Sequence, residues 1–382
     1  MKPTIYFDYN ATTPLDSAVK AAMLPFLDEI WGNPSSVHHV GQKARSILDD
    51  ARDRVAKVFQ SKPSEIVFTS GGTESNNLAI FGTARLLREK GRHLITSQIE
   101  HHAVLHCFQY LERKEGFSVT YLPVDNEGLI SPADLRKAIG PDTTFVSLMA
   151  ANNETGTIQP VAELGKICRE RKIIFHTDAA QWFGKEPFTN INQFNADLVS
   201  TCAHKFHGPK GAGALFIKSP LLPDPILFGG GHENERRAGT ENLPAIIGFT
   251  EALERFISRP VFDREKIVPL QNDLISFLDS LEGVHLRGSL SSCLSNTIAF
   301  TVENTDSIAL LAGLDMEGIC ASSGSACSAG SLEPSHVMLA LGVEKNLANA
   351  LVRFSLGRDS TWEEIEAVKS ILPGVINRVR NG

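Results

Sequence analysis

Glu65-Ile-Val-Phe-Thr-Ser-Gly-Gly-Thr-Glu-Ser-Asn-Asn, residues 65–77, reads as a short apolar strand that runs into two glycines and then into a helix. Two glycines and a threonine at a helix start turn backbone N–H groups and a hydroxyl toward the positive end of the helix dipole, which suits a phosphate. Plain punctuation between strand and helix is the alternative, and neither the P-loop nor the dinucleotide pattern is met.

Outward from this unit the same alternation continues. Apolar runs at His93 to Ser97, Val119 to Pro123, Thr144 to Ala150 and Lys172 to Thr177 are separated by helical patterns near Ala103 to Glu115, from Pro132, and over Val161 to Arg171. Strand–helix alternation of this kind predicts an α/β fold whose large, mostly parallel sheet carries helices on both faces, with the chemistry on loops at strand C-termini. The pattern changes after Arg255, where Ile257-Ser258-Arg259-Pro260 interrupts a helix. Strands near Val284 to Arg287, Asn296 to Val302 and Ala350 to Leu356 follow, with a helix from Asp306 and a last helix opened by the capping-box pattern Thr361-x-x-Glu364. This predicts a large unit over 16–256 and a smaller α+β unit made of 1–15 plus 257–382.

Composition narrows the function. The 382 residues are 42% hydrophobic and 21% charged, with a net charge of -7 and no basic run, which argues against nucleic-acid binding as the main activity. The N-terminus lacks an apolar signal region and no stretch approaches the roughly 20 apolar residues of a membrane span, so a cytoplasmic enzyme is the expectation. The six cysteines form no C-x-x-C pair, and neighbouring histidines such as His101 and His102 point different ways. Neither a disulfide framework nor a metal site is predicted.

Four strand ends carry candidate chemistry. Lys205 lies in Ser200-Thr-Cys-Ala-His-Lys-Phe-His-Gly-Pro-Lys-Gly, between apolar runs, where partial desolvation favours the neutral, nucleophilic amine; an incidental lysine in a hairpin turn is the alternative. Asp178 closes the run Lys172-Ile-Ile-Phe-His-Thr-Asp and is placed to hold a protonated ring nitrogen or to cap a helix. His101 can stack on a ring, and Asn152-Asn153 offers amides. A phosphate turn, a stacking imidazole, an acid for a pyridine nitrogen and an amine-bearing lysine are the parts a protein supplies to pyridoxal phosphate. Finally Ser322-Ser-Gly-Ser-Ala-Cys-Ser-Ala-Gly-Ser, within a small-residue loop over about 321–335, places Cys327 where an accessible thiolate could meet a substrate.

With these residues in hand, the chain resembles the cysteine desulfurases of the iron–sulfur-assembly and nitrogenase-maturation type, within the fold type I, class V aminotransferase-like pyridoxal phosphate enzymes. The resemblance runs from Asp8-Tyr-Asn-Ala-Thr-Thr-Pro through Gly32-Asn-Pro-Ser-Ser, Thr69 to Asn77, Asn152-Asn-Glu-Thr-Gly, His176 to Gln181, Ala203-His-Lys and Arg237-Ala-Gly-Thr-Glu-Asn to Arg353-Phe-Ser-Leu-Gly-Arg. It implies a Schiff base on Lys205, Asp178 on the pyridine nitrogen, His101 stacked on the ring and Gln181 on the phenolic oxygen. Gly72, Thr73, His204 and, from a partner subunit, Thr240 are implied to hold the phosphate, Asn153 and Arg353 the substrate carboxylate, and Cys327 the sulfur. Cys202 stands where the family usually has a phosphate-binding serine, and a thiol is the weaker donor.

The activity implied is conversion of L-cysteine to L-alanine, with the sulfur passed to Cys327 as a persulfide and on to a protein acceptor, an iron–sulfur scaffold or a sulfur-relay protein. A homodimer is implied, with no membrane and no direct nucleic-acid partner. The rivals are an aminotransferase or selenocysteine lyase on the same fold, and a sulfur-relay scaffold with a vestigial site.

Overall fold

The computed structural model describes residues 4–324 and 333–381. In chain order its strands are β1 Ile5–Tyr6, β2 Ile66–Thr69, β3 His93–Ser97, β4 Ser118–Leu122, β5 Thr143–Ser147, β6 Ile174–Asp178, β7 Leu198–Cys202, β8 Gly213–Ile217, β9 Val284–Arg287, β10 Thr297–Val302, β11 Ile319–Cys320 and β12 Leu351–Ser355. The helices are α1 Ser17–Met23, α2 His39–Phe59, α3 Gly72–Leu87, α4 His102–Glu115, α5 Pro132–Ala138, α6 Val161–Glu170, α7 Leu243–Phe256, α8 Arg264–Asp279, α9 Ser307–Met316, α10 His336–Ala340, α11 Lys345–Ala348 and α12 Trp362–Asn381.

The large sheet has the order β2-β8-β7-β6-β5-β3-β4. β3, β4, β5, β6 and β7 pair in parallel, while β8 is antiparallel to both β7 and β2. The reversed β8 restores the direction of β2, so the C-terminal ends of β2, β3, β5, β6 and β7 all lie along one edge. Short hydrophobic strands make such a sheet because both faces are covered. Adjacent residues prove the point: Phe68, Ile95, Val146, Val199 and Phe216 face a core shared with α2, α6 and α7, whereas Val67, Leu94, Phe145, Leu198 and Leu215 face one shared with α3 and α4. The period of two along each strand divides the chain's apolar residues between the two layers.

A second, antiparallel sheet, β12-β10-β9, packs with α8, α9 and α12 around Phe300, Leu310, Phe354, Val368 and Leu372. Ile5, Phe7 and Tyr9 join this core from the far end of the sequence, and β1 pairs in parallel with β11. From there the segment 8–16 crosses to the large sheet, where the backbone N–H of Thr13 donates to the His204 carbonyl and that of Asp16 to His207. No helix among the described residues is long and apolar enough to cross a membrane.

Helix α12 starts as its sequence predicts. The Glu364 N–H donates to the Thr361 hydroxyl at 3.3 Å and the Thr361 N–H to the Glu364 carboxylate at 3.1 Å, so two otherwise orphaned donors are satisfied reciprocally. Its Ile365, Val368, Leu372, Val375 and Ile376 then recur at helical spacing toward the core. Thr361→Ala is expected to lower the stability by about 1 kcal/mol in chemical denaturation without altering the site, since only this cap is lost.

Candidate active site

Along the edge formed by the strand ends lies a cavity of about 200 Å³, walled by Gly72, Thr73 and Asn76 after β2, His101 after β3, Met149, Ala151 and Asn153 after β5, Asp178 and Gln181 at β6, and Cys202, His204 and Lys205 at β7. Asn10 and Ala11 close it from the N-terminal segment and Arg353 from β12. The sequence therefore predicted most of its wall. Thr240 is exposed and lies outside this cavity in its own chain. Cys327 falls outside the described residues.

The turn after β2 makes an anion cradle. Gly71 has φ of 153°, a backbone that side-chain-bearing residues rarely adopt, and it precedes α3 without any side-chain cap. The first turn of a sixteen-residue helix is thus without a side-chain cap where Gly72 and Thr73 line the cavity. A Cβ on Gly72 would stand 3.7 Å from the Cys202 sulfur, so thiol and turn face one another across the cradle. Burial pushes that thiol up to about 11, the nearby Lys205 acting against it, so it stays protonated at neutral pH.

Asp178 takes the capping role and also lines the cavity. One carboxylate oxygen accepts from the Ala180 N–H at 2.9 Å, capping the turn, and the other accepts from Asn76 Nδ2 at 2.6 Å inside the cavity wall. Asn76 Oδ1 is buried without a hydrogen-bond partner among the described residues. His101 likewise caps α4: its Nδ1 accepts from the Ala103 N–H at 3.1 Å, which places the proton of the neutral ring on Nε2. Burial lowers the pKa of His101, with Asp178 opposing and Lys205 assisting. The imidazole is therefore a neutral, flat wall with a known tautomer.

Lys205 projects from the turn that joins β7 to β8, a hairpin as the plainer expectation had it, yet its amine is enclosed. Nζ donates to the backbone carbonyls of Asn10 at 2.5 Å and Ala11 at 2.9 Å. Burial lowers its pKa, Cys202 and Asp178 act upward, and Arg353 acts downward. An amine held by carbonyls and not by a carboxylate keeps a lower proton affinity and is the better nucleophile. His204 is pushed down to about 4, first by burial and then by Lys205 and Lys210, and its Nδ1 stands 3.2 Å from the Thr12 hydroxyl.

Arg353 reaches the cavity from the smaller core and is 1% exposed. Its guanidinium binds Asp8 at 2.6 Å and the carbonyls of Asn153 at 2.7 Å and Gly324 at 2.6 Å, and its Nε is buried without a partner among the described residues. A carboxylate entering here meets a guanidinium already fixed in place by three hydrogen bonds.

Three residues of the site escaped the sequence reading. Asn10 sits in a motif that was recognised but given no role. Asn76 lies one turn into α3, where a polar residue reads as surface. Lys185 is fully buried beside Gln181 and carries no motif of its own. The signal for all three is contact across 100 residues or more, or across one helical turn, which a linear scan does not register.

Known proteins resemble this chain over nearly its full length. Residues 5–368 match the aminotransferase class-V family. The cysteine desulfurase IscS of Dictyoglomus turgidum is 47% identical over 381 residues, covering 100% of this chain and 96% of that protein. The cysteine desulfurase IscS of Methanosarcina thermophila is 45% identical, covering 99% and 93%. Among solved structures, a NifS-like protein superposes with a TM-score of 0.90 at 37% identity, covering 99% of this chain and all of that one. The structure of SspA in complex with cysteine gives 0.81 at 37% identity, covering 94% and 100%.

Behind His101 lies a buried acid. One Glu100 oxygen accepts from the Ser97 hydroxyl at 2.7 Å and the Met149 N–H at 2.9 Å, while the other has no partner among the described residues. Burial, with Asp178 adding to it, pushes this carboxyl up to about 8. The folded state then holds a proton that the unfolded chain has released above its ordinary value of 4.5. Stability from this group is complete below the unfolded pKa and is lost as pH rises through the folded one. The melting temperature of the wild type is expected to fall relative to that of Glu100→Gln between about pH 5 and about pH 8, a trend that thermal melts across that range would read directly.

Proposed function

The chain belongs to the aminotransferase class-V family and, within it, to the cysteine desulfurases, and from that membership we propose how its own residues divide the work. The reaction converts L-cysteine to L-alanine and leaves the sulfur on an enzyme cysteine as a persulfide. The observation that carries the assignment to this cavity is the enclosed amine of Lys205, facing His101 and Asp178 beside an uncapped helix start.

The cavity fits pyridoxal 5'-phosphate. It offers a helix start without a side-chain cap for a phosphate, a carboxylate at Asp178 for a pyridine nitrogen, a flat neutral imidazole, an amine held by carbonyls, and an Asn76 Oδ1 buried without a partner among the described residues. Gly72, Thr73, His204 and Cys202 would hold the phosphate, Gln181 the phenolic oxygen and Lys205 the carbonyl carbon, with Thr240 of a second subunit completing the cradle. When bound, this cofactor stores the electron pair released at the substrate Cα.

Around that chemistry each residue has a task. Arg353 and Asn153 bind and orient the substrate carboxylate. Lys205, freed from the Asn10 and Ala11 carbonyls, takes the proton from Cα and returns it. His101 presents its Nε2–H to the substrate sulfur, and Asp178 keeps the proton on the ring nitrogen. The Cys327 thiolate attacks the substrate sulfur: one S–S bond forms, one C–S bond breaks, and the carbon takes up a proton to become the methyl group of alanine. A protein thiol acceptor then takes the outer sulfur, in iron–sulfur cluster assembly or a sulfur-relay route.

A homodimer is part of the proposal. Besides the Thr240 contact, Trp31 at 74% and Phe228 at 83% exposure leave large apolar side chains uncovered in the single chain.

Sulfide and alanine formed from L-cysteine under reductant, in the wild type and Cys327→Ala side by side, test the assignment. Equal yields of the two products are expected from the wild type, falling by at least about two orders of magnitude in the variant while the visible band of the cofactor is retained. Keto-acid or alanine production indifferent to the substitution would make the protein an aminotransferase, and turnover of selenocysteine alone would make it a lyase.

A further inference from the structure

Lys185 is a second buried amine within the same polar network, and the mechanism above gives it no task. It is 0% exposed, in the turn after Gln181, where Gly184 at φ of 79° packs against Phe206 so closely that a Cβ would meet the Phe206 Cβ. Its Nζ donates to Asn10 Oδ1 at 2.5 Å and to Gln181 Oε1, and lies 5.3 Å from the centroid of the Phe262 ring. No carboxylate bonds it among the described residues.

The surrounding bonds fix which way both amides face. Asn10 Nδ2 donates to the Asn153 backbone carbonyl at 3.2 Å and to the Thr297 hydroxyl at 2.8 Å, a hydroxyl whose own proton goes to Asn296 Oδ1. Asn10 Oδ1 must therefore face inward, where Asn296 Nδ2 also reaches it at 3.1 Å. Gln181 Nε2 donates to the Asn10 backbone carbonyl at 3.0 Å, which turns Gln181 Oε1 inward as well. Two amide oxygens thus converge in the protein interior, and Lys185 Nζ is the donor between them. Without it Gln181 Oε1 would lose its donor and Asn10 Oδ1 would keep only Asn296 Nδ2, leaving a buried amide oxygen unpaired beside another, an arrangement a buried site does not tolerate.

We propose that Lys185 is a positioning residue: by engaging the amide oxygens of Gln181 and Asn10 it obliges Gln181 to present its N–H, and not its carbonyl, on the cavity side. The Asn10 carbonyl that receives this N–H also receives the Lys205 amine, so the same pin sets the carbonyl from which Lys205 must depart. The inference rests on the proposed pyridoxal phosphate site only for the identity of the acceptor that Gln181 meets, the phenolic oxygen of the ring. A donor there lowers the proton affinity of that oxygen, and its loss raises it.

The test uses holoenzyme carrying Lys185→Met, Lys185→Gln, Gln181→Ala and the double substitution Lys185→Met with Gln181→Ala. The pH titration of the visible cofactor band is expected to move upward by about one unit in Lys185→Met, and part of the way in Lys185→Gln, which restores one donor. In the double variant it should stop where Gln181→Ala alone puts it. An unmoved titration, or shifts that add in the double variant, would overturn the proposal, and Lys185→Gln carries the measurement if Lys185→Met does not fold. A crystal structure of either Lys185 variant decides the matter independently of what the cavity binds. Displaced Asn10 and Gln181 side chains uphold the positioning role and wild-type positions refute it, whereas a wild-type protein with no visible band would count against the cofactor assignment alone.

Discussion

The Asn10 backbone carbonyl is the point on which the site depends. It accepts from Lys205 Nζ at 2.5 Å and from Gln181 Nε2 at 3.0 Å, while the same residue's N–H donates to the Ser355 hydroxyl at 2.9 Å. Through the backbone of one residue the large sheet, the smaller core and the N-terminal segment are tied together. The carbonyl also supplies what a reactive amine requires, a polar but uncharged anchor that holds it in place without strengthening its grip on a proton.

The same economy of charge runs through the rest of the interior. His176, buried in the sheet, is pushed down to about 3 by burial and sits between the hydroxyls of Ser147 at 2.8 Å and Ser200 at 2.9 Å, a neutral ring with both nitrogens engaged. His101 and His204 are lowered in the same way, chiefly by burial. The charges that remain near the cavity are matched at close range, Arg353 to Asp8 at 2.6 Å, or held by neutral donors, as Asp178 is by Asn76 and Ala180. A cationic guanidinium and an amine can share so small a space because the amine is not obliged to be a cation.

Much of this was legible in the sequence because the parts are local. The period-two pairs Val67/Phe68 and Leu94/Ile95 announce strands covered on both faces, Gly71-Gly72 announces an uncapped helix start, and Thr361 with Glu364 announces a helix end, each within a few residues. Lys205, Asp178 and His101 stand out for the same reason, as polar residues placed where an apolar run stops. What the sequence hid is relational. That Arg353 pairs with Asp8, or that Asn10 meets Gln181 on Lys185, depends on contacts between residues 175 to 345 apart, and no local window contains Asn10 with Lys185 or Asp8 with Arg353. The Glu100 carboxyl is a similar case: as a neighbour of His101 it looks like solvent-facing polarity, and only the fold reveals that Met149 and Ser97 enclose it.

The N-terminal segment has a consequence for the order in which the molecule is made. Ile5 pairs with Ile319, and Asp8 lies beside Ser355 and binds Arg353, so residues made early find partners made more than 300 residues later. The large sheet, spanning residues 66–217, can assemble during synthesis from neighbouring strand–helix units, but the Asn10 carbonyl cannot be set in place until β12 has emerged. Until then the cavity has no Arg353 wall and Asn10 lacks its Ser355 contact. Completion of the site therefore waits on β12, and a polypeptide lacking that strand would carry the lysine without the guanidinium that faces it.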